Sequence, residues 1–133
     1  MLINALGVKV ENVTLANVFM MPTAKMLELF YTKPPTTVST DVLRDREALS
    51  RYAWKRLYDP KLRERLRRIN VPTLVLSGKD DELLPQEYGR ALAASIPNAQ
   101  FLSFPALRHA LPSEQNGRLV DTVTTFLKEK ARG

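Results

Sequence analysis

The chain contains no cysteine and a single histidine, His109, in 133 residues. Without cysteine there is neither a disulfide framework nor a thiol nucleophile, and one histidine is too few for a histidine-based metal site. No apolar run approaches the roughly 18 residues of a membrane-spanning helix. The first residues also lack the basic start and small-residue cleavage pattern of a secretory signal, so cytoplasm is the expected location. Glycine is scarce, at five positions, and no glycine-rich phosphate loop is present. No cofactor is expected.

What is there is typical of a folded domain, with 44% apolar and 26% charged residues. A chain of this length forms one small domain that buries roughly two thirds of its unfolded surface. The net charge of +6 is local. Ten Lys and Arg residues between Arg44 and Arg68 face four acids (Asp45, Glu47, Asp59, Glu64), a surplus equal to the whole net charge. Such a block fits either a solvated helix face with acids three or four residues from bases, or a surface for an anionic partner. No glycine-rich phosphate loop accompanies this block, and nucleic acid is not an expected partner.

Residues 1–6, "MLINAL", read as a buried strand stopped by Gly7, and the mixed stretch to Pro22 reads as a long loop. Thr23 caps a short helix with Met26, Leu29 and Phe30 on one face, which the adjacent Pro34 and Pro35 end. Apolar positions Leu43, Ala48, Leu49, Tyr52, Ala53 and Leu57 predict an amphipathic helix from Thr40 to Tyr58. Asp59-Pro60 then opens another over 61–68. After Pro72 the texture changes. "TLVLS" (73–77) is a buried strand, 85–96 a helix, "FLSF" (101–104) a second strand and 116–130 a helix with Leu119, Val120, Val123, Phe126 and Leu127 inward. This order implies adjacent parallel strands, with a boundary near Asn70 between a helical part and an α/β part.

In such a sheet, functional groups collect on loops at the carboxyl ends of the strands. "GKDDELLP" (78–85) follows one strand and "PALRHALPSE" (105–114) the next, which puts Asp81 and His109 on neighbouring loops. A carboxylate there can accept an imidazole N–H, fix its tautomer and stabilise the imidazolium. Two plainer readings stay open: Asp81 as a cap of the following helix, and His109 as an ordinary loop histidine. Asp80 and Glu82 read as a solvated loop with favourable charge near the helix start.

Residues Ile69 to Lys130 resemble the C-terminal end of an α/β-hydrolase. The resemblance rests on "VPTLVLSG", Gly78-x-x-Asp81-x-x-x-Pro85, "IPNA" (96–99), and His109 with Glu114 five residues on. It implies that Asp81 is the acid and His109 the base of a catalytic triad, and that residues 7–70 are a helical cap set between a strand remnant of the core (1–6) and a C-terminal core segment (71–133). The fold class it implies is a partial α/β-hydrolase fold, a short parallel sheet with flanking helices plus a cap. Arg108 departs from the glycine usual before the histidine in that family.

The nucleophile of such an enzyme sits on a tight turn, G-x-S-x-G, whose small neighbours permit a strained backbone. No two of Gly7, Gly78, Gly89, Gly117 and Gly133 have that spacing, and none of the six serines stands in that setting. The chain is therefore expected to hold only the last part of the pattern and to be inactive alone, with an esterase-like activity on a small apolar substrate in the complete enzyme. Phe19, Met20, Met21, Phe30 and Tyr31 are candidate pocket residues. The cut sheet is expected to self-associate or to pair with an N-terminal partner chain. The alternatives are a non-enzymatic partner-binding module and a truncated gene product.

Overall fold

The run 73–77 is apolar because it is covered on both sides. The computed structural model describes residues 1–3, 5, 7–53, 58–110 and 117–131. Its elements are β1 (Leu2–Ile3), α1 (Thr23–Phe30), α2 (Thr40–Ala53), α3 (Leu62–Leu66), β2 (Thr73–Gly78), α4 (Gln86–Ala94), β3 (Ala99–Phe104) and α5 (Gly117–Lys130). The three strands form one sheet in the order β1-β2-β3, with both pairings parallel. Leu2 and Ile3 pair with Val75 and Leu76. β3 pairs with β2 over its whole length, from Thr73 with Ala99 to Gly78 with Phe104.

Successive side chains of a strand point to opposite faces. Val75 faces a cluster with Tyr88, Leu92 and Ile96 of the α4 region, joined by Val8 and Leu66. Leu74 and Leu76 face the other way, onto Leu119 and Phe126 of α5, with Phe104 beside them. All six residues of β2 are buried, as a strand sandwiched between helices must be. On β3 the cover is partial: Ala99 and Phe101 pack against the first cluster and Phe104 is buried, while Gln100 and Leu102 are exposed.

Several expectations shift. Of the strand expected over 1–6, Leu2 and Ile3 are strand, with Asn4 and Leu6 outside the described residues. The helix expected to reach Tyr58 is described to Ala53, residues 54–57 lying outside. Asn116, expected to begin the last helix, also lies outside. Val120 and Leu127, expected inward, are 62% and 60% exposed. The apolar stripe of α5 is wider than the strip of sheet beneath it, so only Leu119 and Phe126 are buried and Val123 is partly covered. Thr23 does not cap α1; Pro22 occupies the cap position and the Thr23 hydroxyl accepts instead from Arg46 Nη1 at 2.9 Å.

Tyr88 ties the segment after β1 to this core. Its buried hydroxyl donates to the Val8 carbonyl at 2.6 Å and accepts from the Gly7 N–H at 2.7 Å. Gly7 is held at φ 136°, in a region that favours glycine. Removing the hydroxyl in Tyr88→Phe leaves both backbone groups short of a partner and is expected to cost roughly 2 kcal/mol in urea unfolding. Burial also raises the phenol pKa above its ordinary 10.0, partly offset by the Gly7 and Val8 backbone hydrogen bonds. The unfolded chain therefore releases this proton at a lower pH than the folded chain. The contribution is whole below that ordinary value and is lost as pH rises through the folded one. The stability gap between wild type and Tyr88→Phe should accordingly narrow at alkaline pH; a gap that stays constant to about pH 11 would argue against this account.

Candidate active site

β2 and β3 end side by side, and the loops that leave them are laced together by backbone hydrogen bonds. Lys79 N–H donates to the Phe104 carbonyl at 2.8 Å, and Asp80 N–H to the Leu107 carbonyl at 3.1 Å. The approach is close enough that only glycine fits at 78. A Cβ there would stand 2.3 Å from the Leu107 carbonyl oxygen and 2.6 Å from that of Arg108.

This crossing brings Asp81 and His109 together, 28 positions apart in the chain, with His109 Nδ1 2.9 Å from Asp81 Oδ2. A carboxylate accepts and does not donate, so Nδ1 carries a hydrogen, and in the neutral ring Nε2 has the lone pair. The Asp81 side chain has no solvent exposure, while that of His109 retains 21%. Its other oxygen, Oδ1, accepts from both Leu83 N–H and Leu84 N–H, each at 2.9 Å. Asp81 does not cap α4, whose cap position is Pro85 with no side-chain cap bond; Oδ1 instead folds its own loop, while Oδ2 meets the imidazole.

Around the pair, the His109 ring meets the Phe30 ring edge-on, with centroids 4.7 Å apart and planes at 75°. Ala110 N–H donates to the Phe30 carbonyl at 2.7 Å. Arg108 spans the two loops and α1: Nη1 donates to the Glu28 carbonyl and lies 3.4 Å from Glu82 Oε1. Glu82 thus has a partner in its solvated loop, while Asp80 is exposed. Glu114, expected downstream of His109, lies outside the described residues. A cleft of about 320 Å³ is lined by Lys25, Glu28, Tyr31, Glu82 and Arg108, among others, and by neither Asp81 nor His109. Of the candidate pocket residues, Tyr31 lines this cleft and Phe30 touches His109, whereas Met20 is 73% exposed.

The sequence carried no sign of the Phe30 contact with His109. Arg108 was visible only as a departure from pattern. Among the described residues no cluster of three His, Cys, Asp or Glu side chains is placed to hold a metal ion, and no helix is long and apolar enough to cross a membrane.

No protein-family model matches the chain. It is 31% identical over 65 residues to the uncharacterized hydrolase YugF of Bacillus subtilis, a match covering 49% of this chain and 24% of that protein. It is 30% identical over 66 residues to the bifunctional esterase/perhydrolase DCH of Acinetobacter calcoaceticus, with the same coverage of 49% and 24%. The chain thus spans about a quarter of the length of these curated relatives. Among solved structures, a thermophilic esterase superposes with a TM-score of 0.56 at 21% identity, over 80% of this chain and 44% of the esterase. At that identity the likeness is one of fold. In sequence and in fold, the chain is similar to the C-terminal portion of α/β-hydrolases.

Proposed function

We propose that Asp81 and His109 are the acid and base of a hydrolytic triad that acts on a small apolar ester, with a nucleophile supplied from outside these 133 residues. The observation that carries this reading is the 2.9 Å contact between a wholly buried carboxylate and a partly exposed imidazole on adjacent loops at the carboxyl edge of a parallel sheet. With Nδ1 held by Asp81, His109 Nε2 is free of a hydrogen and able to take the proton of an attacking hydroxyl. Asp81 stabilises the imidazolium so formed, and the same nitrogen then returns the proton to the leaving alkoxide. In the deacylation half, water takes the place of the hydroxyl. Residues 7–70, with α1 to α3, are the cap over this site, and residues 1–6 and 71–133 belong to the core.

Alone, the chain is expected to give no turnover of a p-nitrophenyl ester above background, for want of a nucleophile and of donors for the oxyanion. Joined to a segment carrying a G-x-S-x-G turn it should hydrolyse the ester, and His109→Ala should then lower kcat by on the order of a thousandfold or more. Turnover by the isolated chain that His109→Ala abolishes would sink the first expectation; turnover in the joined protein that ignores the substitution would sink the triad.

The partner follows from the same picture. β1 is an edge strand of two residues, and Val120 and Leu127 leave an apolar stripe on α5. We infer that an N-terminal core segment, or a second copy in its absence, covers them. Sedimentation of the isolated chain should show self-association, and a monomer at high concentration would count against it. The same stripe would serve a non-enzymatic binding module, which full turnover in the joined protein would eliminate.

A further inference from the structure

We propose that the last turn of α1 is a positioning element for His109, with Phe30 and Arg108 as its positioning residues. This rests on the triad reading above and adds a second source of orientation for the imidazole besides Asp81.

The physical cause lies in the helix. The final carbonyls of an α-helix have no partner within it, and its C-terminal end carries partial negative charge. α1 has no basic residue in its last turn. The Leu27 carbonyl is served by Tyr31 N–H at 3.0 Å. The histidine loop serves two more: Arg108 donates to Glu28 C=O and Ala110 N–H donates to Phe30 C=O. His109 lies between these two anchors, and its ring is set edge-on to that of Phe30. Three consecutive residues of the loop thus dock on one helical turn, and Arg108 extends the clamp to Glu82, next to Asp81.

A single hydrogen bond to Asp81 fixes where Nδ1 points but leaves the imidazole able to rock about that contact. The Phe30 ring at 4.7 Å blocks this motion from the side, and the two backbone-directed anchors hold the Cα of His109 at the correct height. Displacing α1 therefore acts directly on the base. Arg108, where the family pattern has a small residue, provides a link that glycine could not.

The test uses the full 133-residue chain, in which the one histidine gives a single imidazole signal. The ratio of Nδ1–H to Nε2–H tautomers is read from ¹⁵N shifts at alkaline pH, with the ring neutral, for wild type, Phe30→Leu, Arg108→Ala and Arg108→Lys. Arg108→Ala is expected to lower the ratio about tenfold, the effect of weakening one hydrogen bond to a charged group. Arg108→Lys, which keeps a donor for Glu28 C=O and a charge for Glu82, should restore most of it. Phe30→Leu should lower the ratio and remove the ring-current shift of the imidazole protons. Leu83 and Leu84 amide shifts should stay fixed throughout, showing the acid loop intact. An unchanged ratio in folded Arg108→Ala overturns the proposal, and so does a loss that Arg108→Lys does not recover. If Phe30→Leu fails to fold, the two Arg108 variants decide alone. Because the readout is a tautomer and not ester turnover, the clamp can fail while the triad stands, and the triad can fail while the clamp stands.

Discussion

Asp81→Ala is expected to destabilise the chain by roughly 4 kcal/mol, whereas Asp81→Asn is expected to cost far less and still to disable the base. The difference follows from the division of labour between the two oxygens. Oδ1 accepts from Leu83 and Leu84 N–H in a buried loop. Alanine leaves both donors without an acceptor, at about 1–3 kcal/mol each. Asparagine can keep its carbonyl oxygen in the Oδ1 position and preserve the loop. Its amide nitrogen then faces His109 Nδ1, and an amide nitrogen cannot accept. The imidazole must move its hydrogen to Nε2, the atom proposed to take a proton from the nucleophile. In a protein joined to its nucleophile, kcat should then fall by on the order of 10⁴ while the folded state persists. Urea unfolding of both variants, with the histidine tautomer measured beside it, separates the two roles. Equal destabilisation by alanine and asparagine would mean that the Oδ1 bonds contribute little and that the carboxylate's charge holds the loop.

The meeting of Asp81 with His109 was more easily read from sequence than much of the fold around it. Asp81 and His109 each follow a short apolar run, and parallel strands in sequence order force such loops to one edge. The strand 73–77 needed no alternation to be recognised, since both of its faces are covered. The edges of the structure were harder. Periodicity assigned Val120 and Leu127 to the inner face of α5, because a helical pattern records which residues are apolar and not how much sheet lies beneath them.

Long-range polar contacts left no trace at all. The hydroxyl partners of Tyr88, Gly7 and Val8, lie 81 and 80 positions away. Arg46 was counted with the basic block, in which Arg51 pairs with Glu47 at 3.0 Å and Arg44 with Asp41 at 3.3 Å. Arg46 itself turns inward, reaching Thr23 Oγ1 and the Val18 and Met21 carbonyls, and so binds α2 to the start of α1. Charge spacing along one helix contains no information about carbonyls on another segment.

Gly78→Ala is the second change expected to have a large effect, and it acts on the meeting of the loops rather than on either functional side chain. The added Cβ would lie 2.3 Å from Leu107 O, 2.6 Å from Arg108 O and 2.9 Å from Leu107 C. These are backbone atoms, so no rotamer change can make room, and the histidine loop as a whole must retreat. Retreat stretches the Asp80 N–H to Leu107 C=O bond and carries His109 away from Asp81. Overpacking of this kind costs about 1–3 kcal/mol. A displacement of about 1 Å at the base is enough to lower turnover on the order of a hundredfold in a protein that has its nucleophile. Gly117→Ala is the matching control, since nothing lies within 4 Å of a Cβ at that position, and it should leave the urea midpoint unlowered. If Gly78→Ala matches wild type in unfolding midpoint and in the His109 imidazole signals, the two loops are not in the contact described, and the pairing of Asp81 with His109 would need another source.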